Sequence, residues 1–72
     1  MRKFYVIFKV NNDDKFRENF DTECALGNSI FRIACYGNKR SSNNSIINQA
    51  KSIVNWHKGL KITEIIDVIE LS

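Results

Sequence analysis

The chain has 72 residues, with eleven Lys and Arg against eight Asp and Glu, for a net charge of +3. That length holds one domain at most, expected to span residues 1–72, and a domain of this size buries only about 60% of its unfolded surface. Two cysteines separated by ten residues are too few for a disulfide-dense secreted scaffold, and no apolar run approaches the ~20 residues that cross a bilayer.

The opening segment KFYVIFKV alternates. Phe4, Val6, Phe8 and Val10 take one side and Lys3, Tyr5, Ile7 and Lys9 the other, which is the period of a half-buried strand. Its cationic start carries no small-residue cleavage site, and Lys9 interrupts the apolar run, so it does not read as a signal peptide. NNDD ends the strand with residues that favour turns. DDKFRENF places Phe16 and Phe20 four apart behind cap-forming residues. Residues 11–28 as a whole read as an irregular segment containing a helical turn.

SIFRIACY alternates again, with Phe31, Ile33 and Cys35 on one side and Ile30, Arg32, Ala34 and Tyr36 on the other. Gly37 and Asn38 end this second strand. From Ile46 the apolar residues Ile46, Ile47, Ala50, Ile53 and Val54, followed by His57, make one helical stripe. The spacing predicts a helix over about residues 44–58, started by a cap from Ser42, Asn43 or Asn44. Gly59 supplies a left-handed stop, with Leu60 folding back on Val54. The tail LKITEIIDVIELS mixes helical spacing at Ile62, Ile65, Ile66 and Ile69 with a β-branched composition that favours a strand. Two strands need a third for stability, and the tail is read as that strand.

The expected fold class is therefore α+β: a three-stranded, mainly antiparallel sheet in β-β-α-β order, with one helix packed on one face. The pattern resembles small accessory proteins of phages and mobile elements, through element order alone, without a motif that marks a family. The Asn-, Ile- and Lys-rich, proline-free composition fits an AT-rich genome. The thiols Cys24 and Cys35 are expected free in a reducing cytoplasm, the host's if the chain is phage-encoded.

The residues supply no convergent catalytic set. His57 is the sole histidine and falls in the apolar stripe, where a core histidine with one hydrogen bond is the ordinary reading. A Cys35–His57 pair lacks an indicated orienting group. The acids of NNDDKFRE miss the calcium-loop spacing, and Gly27, Gly37 and Gly59 stand apart, so there is no phosphate-binding glycine fingerprint. The chain is read as a non-enzyme with no cofactor and no metal.

Charge is segmental. Residues 29–61 hold Arg32, Lys39, Arg40, Lys51, Lys58 and Lys61 and no acid. Two binding classes follow. The first is a protein-binding module that uses the uncovered sheet face through Tyr5, Ile7, Ile30, Arg32 and Tyr36. Tyr and Arg are residues enriched at interface hot spots. Such a module would serve as a phage- or mobile-element-type modulator or inhibitor of a host machine, or as a homodimer through that face. The second class is an RNA- or single-strand-binding domain using Lys39, Arg40, Lys51 and Lys58, with GNKRSSNNS as a phosphate cradle at a helix start. The two tyrosines and Arg32 also suit base stacking, although the consensus of sheet-based RNA readers is missing. Trp56, on the flank of the stripe, is read as a filler at the core's edge.

Overall fold

The computed structural model describes residues 1–71; Ser72, the last residue of the expected domain, lies outside the described residues. In chain order the elements are β1 (Arg2–Val10), α1 (Asp13–Asn19), a 3-10 turn (Thr22–Cys24), β2 (Ala25–Gly27), β3 (Ile30–Gly37), α2 (Asn43–Asn55) and β4 (Ile62–Leu71). The strands form one antiparallel sheet in the order β2-β3-β1-β4. The βαββαβ succession with this strand order is the connectivity of the split-βαβ, or ferredoxin-like, arrangement.

The α+β class and the three long strands agree with the sequence; the count does not. The sheet has four strands and two helices, and both additions come from residues 11–28. Asn12 caps α1, its Oδ1 accepting the Lys15 N–H at 3.0 Å, and Asp13 and Asp14 sit favourably at the positive end of the helix dipole. Seven residues are too few for a helix to persist alone, so burial of Phe16 holds it in place. Phe16 stacks on Phe20 at 4.2 Å and meets Phe31 at 4.4 Å and Phe8 at 5.6 Å. β2 is only three residues long and is joined to β3 through Asn28 and Ser29, with Ser29 in the left-handed region at φ 62°.

Both helices cover one face of the sheet. The core there is Phe4, Val6, Phe8 and Val10 from β1, Phe31, Ile33 and Cys35 from β3, Ile46, Ala50 and Val54 from α2, and Phe16 and Leu60. Gly37 lets α2 approach closely: a Cβ at that position would lie 2.7 Å from the Ser41 Cβ and 3.1 Å from the Ile46 Cδ1. α2 starts as anticipated, with Ser42 Oγ accepting the Ser45 N–H at 3.2 Å. It ends earlier than anticipated, at Asn55 rather than 58. The left-handed Gly59, φ 80°, closes a further turn in which the Leu60 N–H donates to His57 O, and Leu60 joins Val54 in the core.

Ile53 of the anticipated stripe is not core, and Trp56, expected as a filler at the core's edge, is not buried at all. Ile53 is 38% exposed and Trp56 is 86% exposed. The buried line is Ile46, Ala50 and Val54, and helix geometry turns Ile53 about 60° and Trp56 about 120° away from Ala50. Ile47 on the other flank is half-buried. His57 lies at the core's edge, edge-on to Phe20 at 5.0 Å.

The tail is a strand, and its helical spacing has a structural cause. β4 pairs with β1 through two irregularities. Asp67 faces Ile7 while Ile65 faces Phe8, and Glu64 faces Lys9 while Ile62 faces Val10. Ile66 and Thr63 are thus the extra residues of two bulges. Each bulge adds one residue to the period of two, so Ile62, Ile65 and Val68 fall three apart yet all pack on the core side.

Candidate functional site

The face opposite the helices is built from alternate residues of three neighbouring strands. The register aligns them in rows: Tyr36, Lys3 and Leu71; Ala34, Tyr5 and Ile69; Arg32, Ile7 and Asp67. Ile30 continues the same side of β3 one step beyond Arg32. The five residues singled out from sequence, Tyr5, Ile7, Ile30, Arg32 and Tyr36, therefore share one face, and no helix covers it among the described residues. Tyr36 is 48% exposed and Ile69 40% exposed; the other four are half-buried by their neighbours.

Cations and rings interlock there. The Arg32 guanidinium lies 4.4 Å from the Tyr5 ring centroid. The Lys3 ammonium lies 5.7 Å from Tyr5 and 5.9 Å from Tyr36. Such contacts contribute about 0.5–1 kcal/mol each at exposed sites and fix the long side chains over the rings. Beside this cluster, at the edge of β3, is a depression of about 210 Å³ whose lining includes Lys3, Tyr5, Arg32, Ala34, Glu23 and Cys24. The chemistry offered is a mixed face, with an aromatic–cation cluster on β3 and β1, the aliphatic residues Ile7, Ala34, Ile69 and Leu71 beside it, and Asp67 on β4. Sequence reading missed Ile69 and Cys24, because both belong to the face or its margin only through the strand order.

The second set of residues is spread out. Lys39 and Arg40 precede α2, Lys51 is on it and Lys58 follows it, so the set spans the helix's length, about 20 Å. All four are exposed. The loop's own N–H groups are largely engaged: Asn38 N–H donates to Ser41 Oγ at 2.9 Å, Arg40 N–H to Asn38 Oδ1 at 2.8 Å and Ser41 N–H to Asn38 O at 3.2 Å. With the Ser45 N–H held by Ser42, GNKRSSNNS is a turn stabilised by internal hydrogen bonds.

Cys35 and His57 lie at opposite ends of α2. Cys35 is two residues from Gly37, against which Ile46 packs, whereas His57 follows the helix's last turn. Burial pushes the Cys35 thiol up to about 11, and burial, assisted by Asp21, also raises Cys24, so both thiols are protonated at neutral pH. Among the described residues, no three His, Cys, Asp or Glu side chains converge. No helix is long and apolar enough to cross a membrane. No protein-family model, curated protein or solved structure matches the chain.

Proposed function

We propose that the chain is a non-enzymatic interaction module that binds a protein partner through the uncovered face of its sheet. The observation that carries this reading is the placement of both helices on one side of a four-stranded sheet. The other side is left with Ile7, Ala34, Ile69 and Leu71 beside a Tyr5–Arg32–Lys3–Tyr36 cluster. Aliphatic side chains interleaved with tyrosine and arginine match the residue types enriched at protein interface hot spots.

Single-stranded nucleic acid is the rival. Base stacking needs free ring faces. The Tyr5 ring already carries Arg32 at 4.4 Å, and Ile7, Ile30, Ala34 and Ile69 have no π-face to offer. The cations at 39, 40, 51 and 58 lie on α2 and the loops flanking it, outside the rows of the sheet face. Both features favour the protein reading. A modulator or inhibitor of a host machine is the role such a small module fits.

The test is capture from a low-GC bacterial lysate on immobilised chain, with and without nuclease, repeated with an Arg32→Ala/Tyr36→Ala variant. A nuclease-resistant partner that the variant fails to retain, while circular dichroism shows it folded, supports the proposal. Capture that nuclease abolishes, or that the variant retains in full, overturns it.

A further inference from the structure

The outer edge of β3 has an unfilled strand position beside Ala34. β2 pairs only with Ile30 and Phe31, and the chain N-terminal to it leaves the ladder as the 3-10 turn, which stays beside β3 with Glu23 and Cys24 lining the depression next to Ile33 and Ala34. In an antiparallel ladder, alternate residues direct both main-chain groups to the same side. Gln49 shows which side is outer. The Tyr36 N–H donates to Gln49 Oε1 at 2.8 Å, and Gln49 Nε2 donates to Tyr36 O at 3.0 Å. The amide thus occupies the place of a neighbouring strand. Ala34, two residues back, turns its N–H and C=O the same way, and among the described residues these groups have no hydrogen-bond partner there.

The wall of this gap comes from α2, which runs antiparallel to β3. Ile46 packs by Gly37 and Gln49 holds Tyr36. Further on, His57 touches Phe20, which stacks on Phe16 against Phe31. Four helical residues advance about 6 Å and two strand residues about 7 Å. Ile53, four residues past Gln49, therefore stands at the level of Ala34, and Trp56 follows on the same stripe. Ile53 in α2 and Trp56 just past its end are large apolar residues that the core leaves exposed. On the opposite side the gap borders the depression that holds Lys3 and Arg32, with Glu23 as its acid.

Resting on the protein-binding reading above, we infer that the partner supplies a short extended segment that adds to β3 at Ala34. Its side chains alternate, apolar toward Ile53 and Trp56 and acidic toward Lys3 and Arg32. Strand addition of this kind takes affinity from main-chain hydrogen bonds and specificity from alternate side chains. The charge complementarity argues for an acidic strand over a second copy, because a copy would bring Arg32 and Lys3 against their own equivalents.

The probe is a blocked hexapeptide alternating valine and glutamate, with a valine–lysine hexapeptide as control, titrated into isotopically labelled chain. The valine–glutamate peptide should shift amides at residues 33–36 and 53–56, blue-shift the fluorescence of Trp56, the sole tryptophan, and slow exchange of the Ala34 amide. The lysine control should bind about tenfold more weakly or worse, since it sets cation against cation. Ala34→Pro removes the outward N–H and should cost about three- to tenfold in affinity or more. Ile53→Asp, at an exposed position that does not threaten the fold, should weaken binding of the acidic peptide to a similar degree. Four results would overturn the inference: no shifts at about 5 mM peptide, beyond the millimolar range of weak contacts; shifts on Tyr5 and Tyr36 with the Ala34 amide still exchanging freely; affinities unmoved by both variants; or a dimer in which the free chain already protects Ala34. Each leaves the sheet-face reading to its own test, the dependence of partner capture on Arg32 and Tyr36.

Discussion

At the scale of single residues, Arg2 makes the most long-range polar contacts. Its Nε and Nη2 donate to the two Glu70 carboxylate oxygens at 2.8 Å, and its Nη1 donates to Asn38 O and Ser41 O at 3.2 and 3.1 Å. One guanidinium thus ties the start of β1 to the end of β4 and to the β3–α2 loop. Arg2 reads from sequence only as one of three cations near the chain's beginning, because its partner lies 68 residues away. The hydrogen bonds from Arg2, with a smaller Coulombic contribution, hold the Glu70 carboxyl below its ordinary range despite an opposing effect of burial. A group depressed in the folded state contributes stability above its unfolded pKa and loses that contribution as pH falls through the folded one. Glu70→Gln should therefore lower stability at neutral pH and flatten its decline toward about pH 3. Urea unfolding at several pH values measures this. Parallel acid limbs for wild type and variant would show that the pair contributes nothing. The effect should be modest, because both side chains stay in contact with solvent.

At the scale of elements, periodicity carried most of what was legible. β1 and β3 alternate without interruption, and the capped start of α2 is visible in Ser42. α1 was hidden by its length: Phe16 and Phe20 fit a helix turn and a strand alike, and only contact with Phe8 and Phe31 decides between them. β4 was ambiguous because Thr63 and Ile66 are bulged, which gives a strand the spacing of a helix. α2 shows the opposite failure, since a stripe of six residues was wider than the sheet beneath it could bury. The outcome is a clear contrast between two isoleucines of one helix. Ile46→Ala should cost about 2–5 kcal/mol as a fully buried truncation. Ile53→Ala should cost under about 1 kcal/mol, as exposed substitutions do. Chemical denaturation of both variants checks the pair, and equal losses would mean that α2 is rotated from the orientation described.

At the scale of the whole molecule, the sheet's two edges are unequal. β4 is a ten-residue β-branched edge strand, the kind that invites pairing with another chain. It is guarded: two bulges interrupt it, and Asp67 Oδ1 accepts the Val68 N–H at 2.8 Å, taking a main-chain donor out of reach of another strand. Asp67→Thr removes both the acceptor and the charge, and should shift the chain toward concentration-dependent association in sedimentation velocity. A variant that stays monomeric up to millimolar concentration would show that the bulges suffice. With that edge closed, association is left to the uncovered face and the short open edge at Ala34. The individual face residues were legible, because β1 and β3 each alternate strictly. Their assembly into rows with Leu71, Ile69 and Asp67 was not, because strand order is set by the placement of the two helices.

The salt dependence of partner affinity tests the central claim most directly. An interface of aliphatic residues and a tyrosine–arginine cluster predicts a shallow decline of log K with log salt. It also predicts a large loss of affinity at every salt concentration when Arg32 and Tyr36 are truncated together. A slope that steepens by about 0.7–0.9 for each phosphate contact, and falls when Lys39 and Arg40 are replaced by glutamine, would contradict the claim and identify the ligand as a nucleic acid.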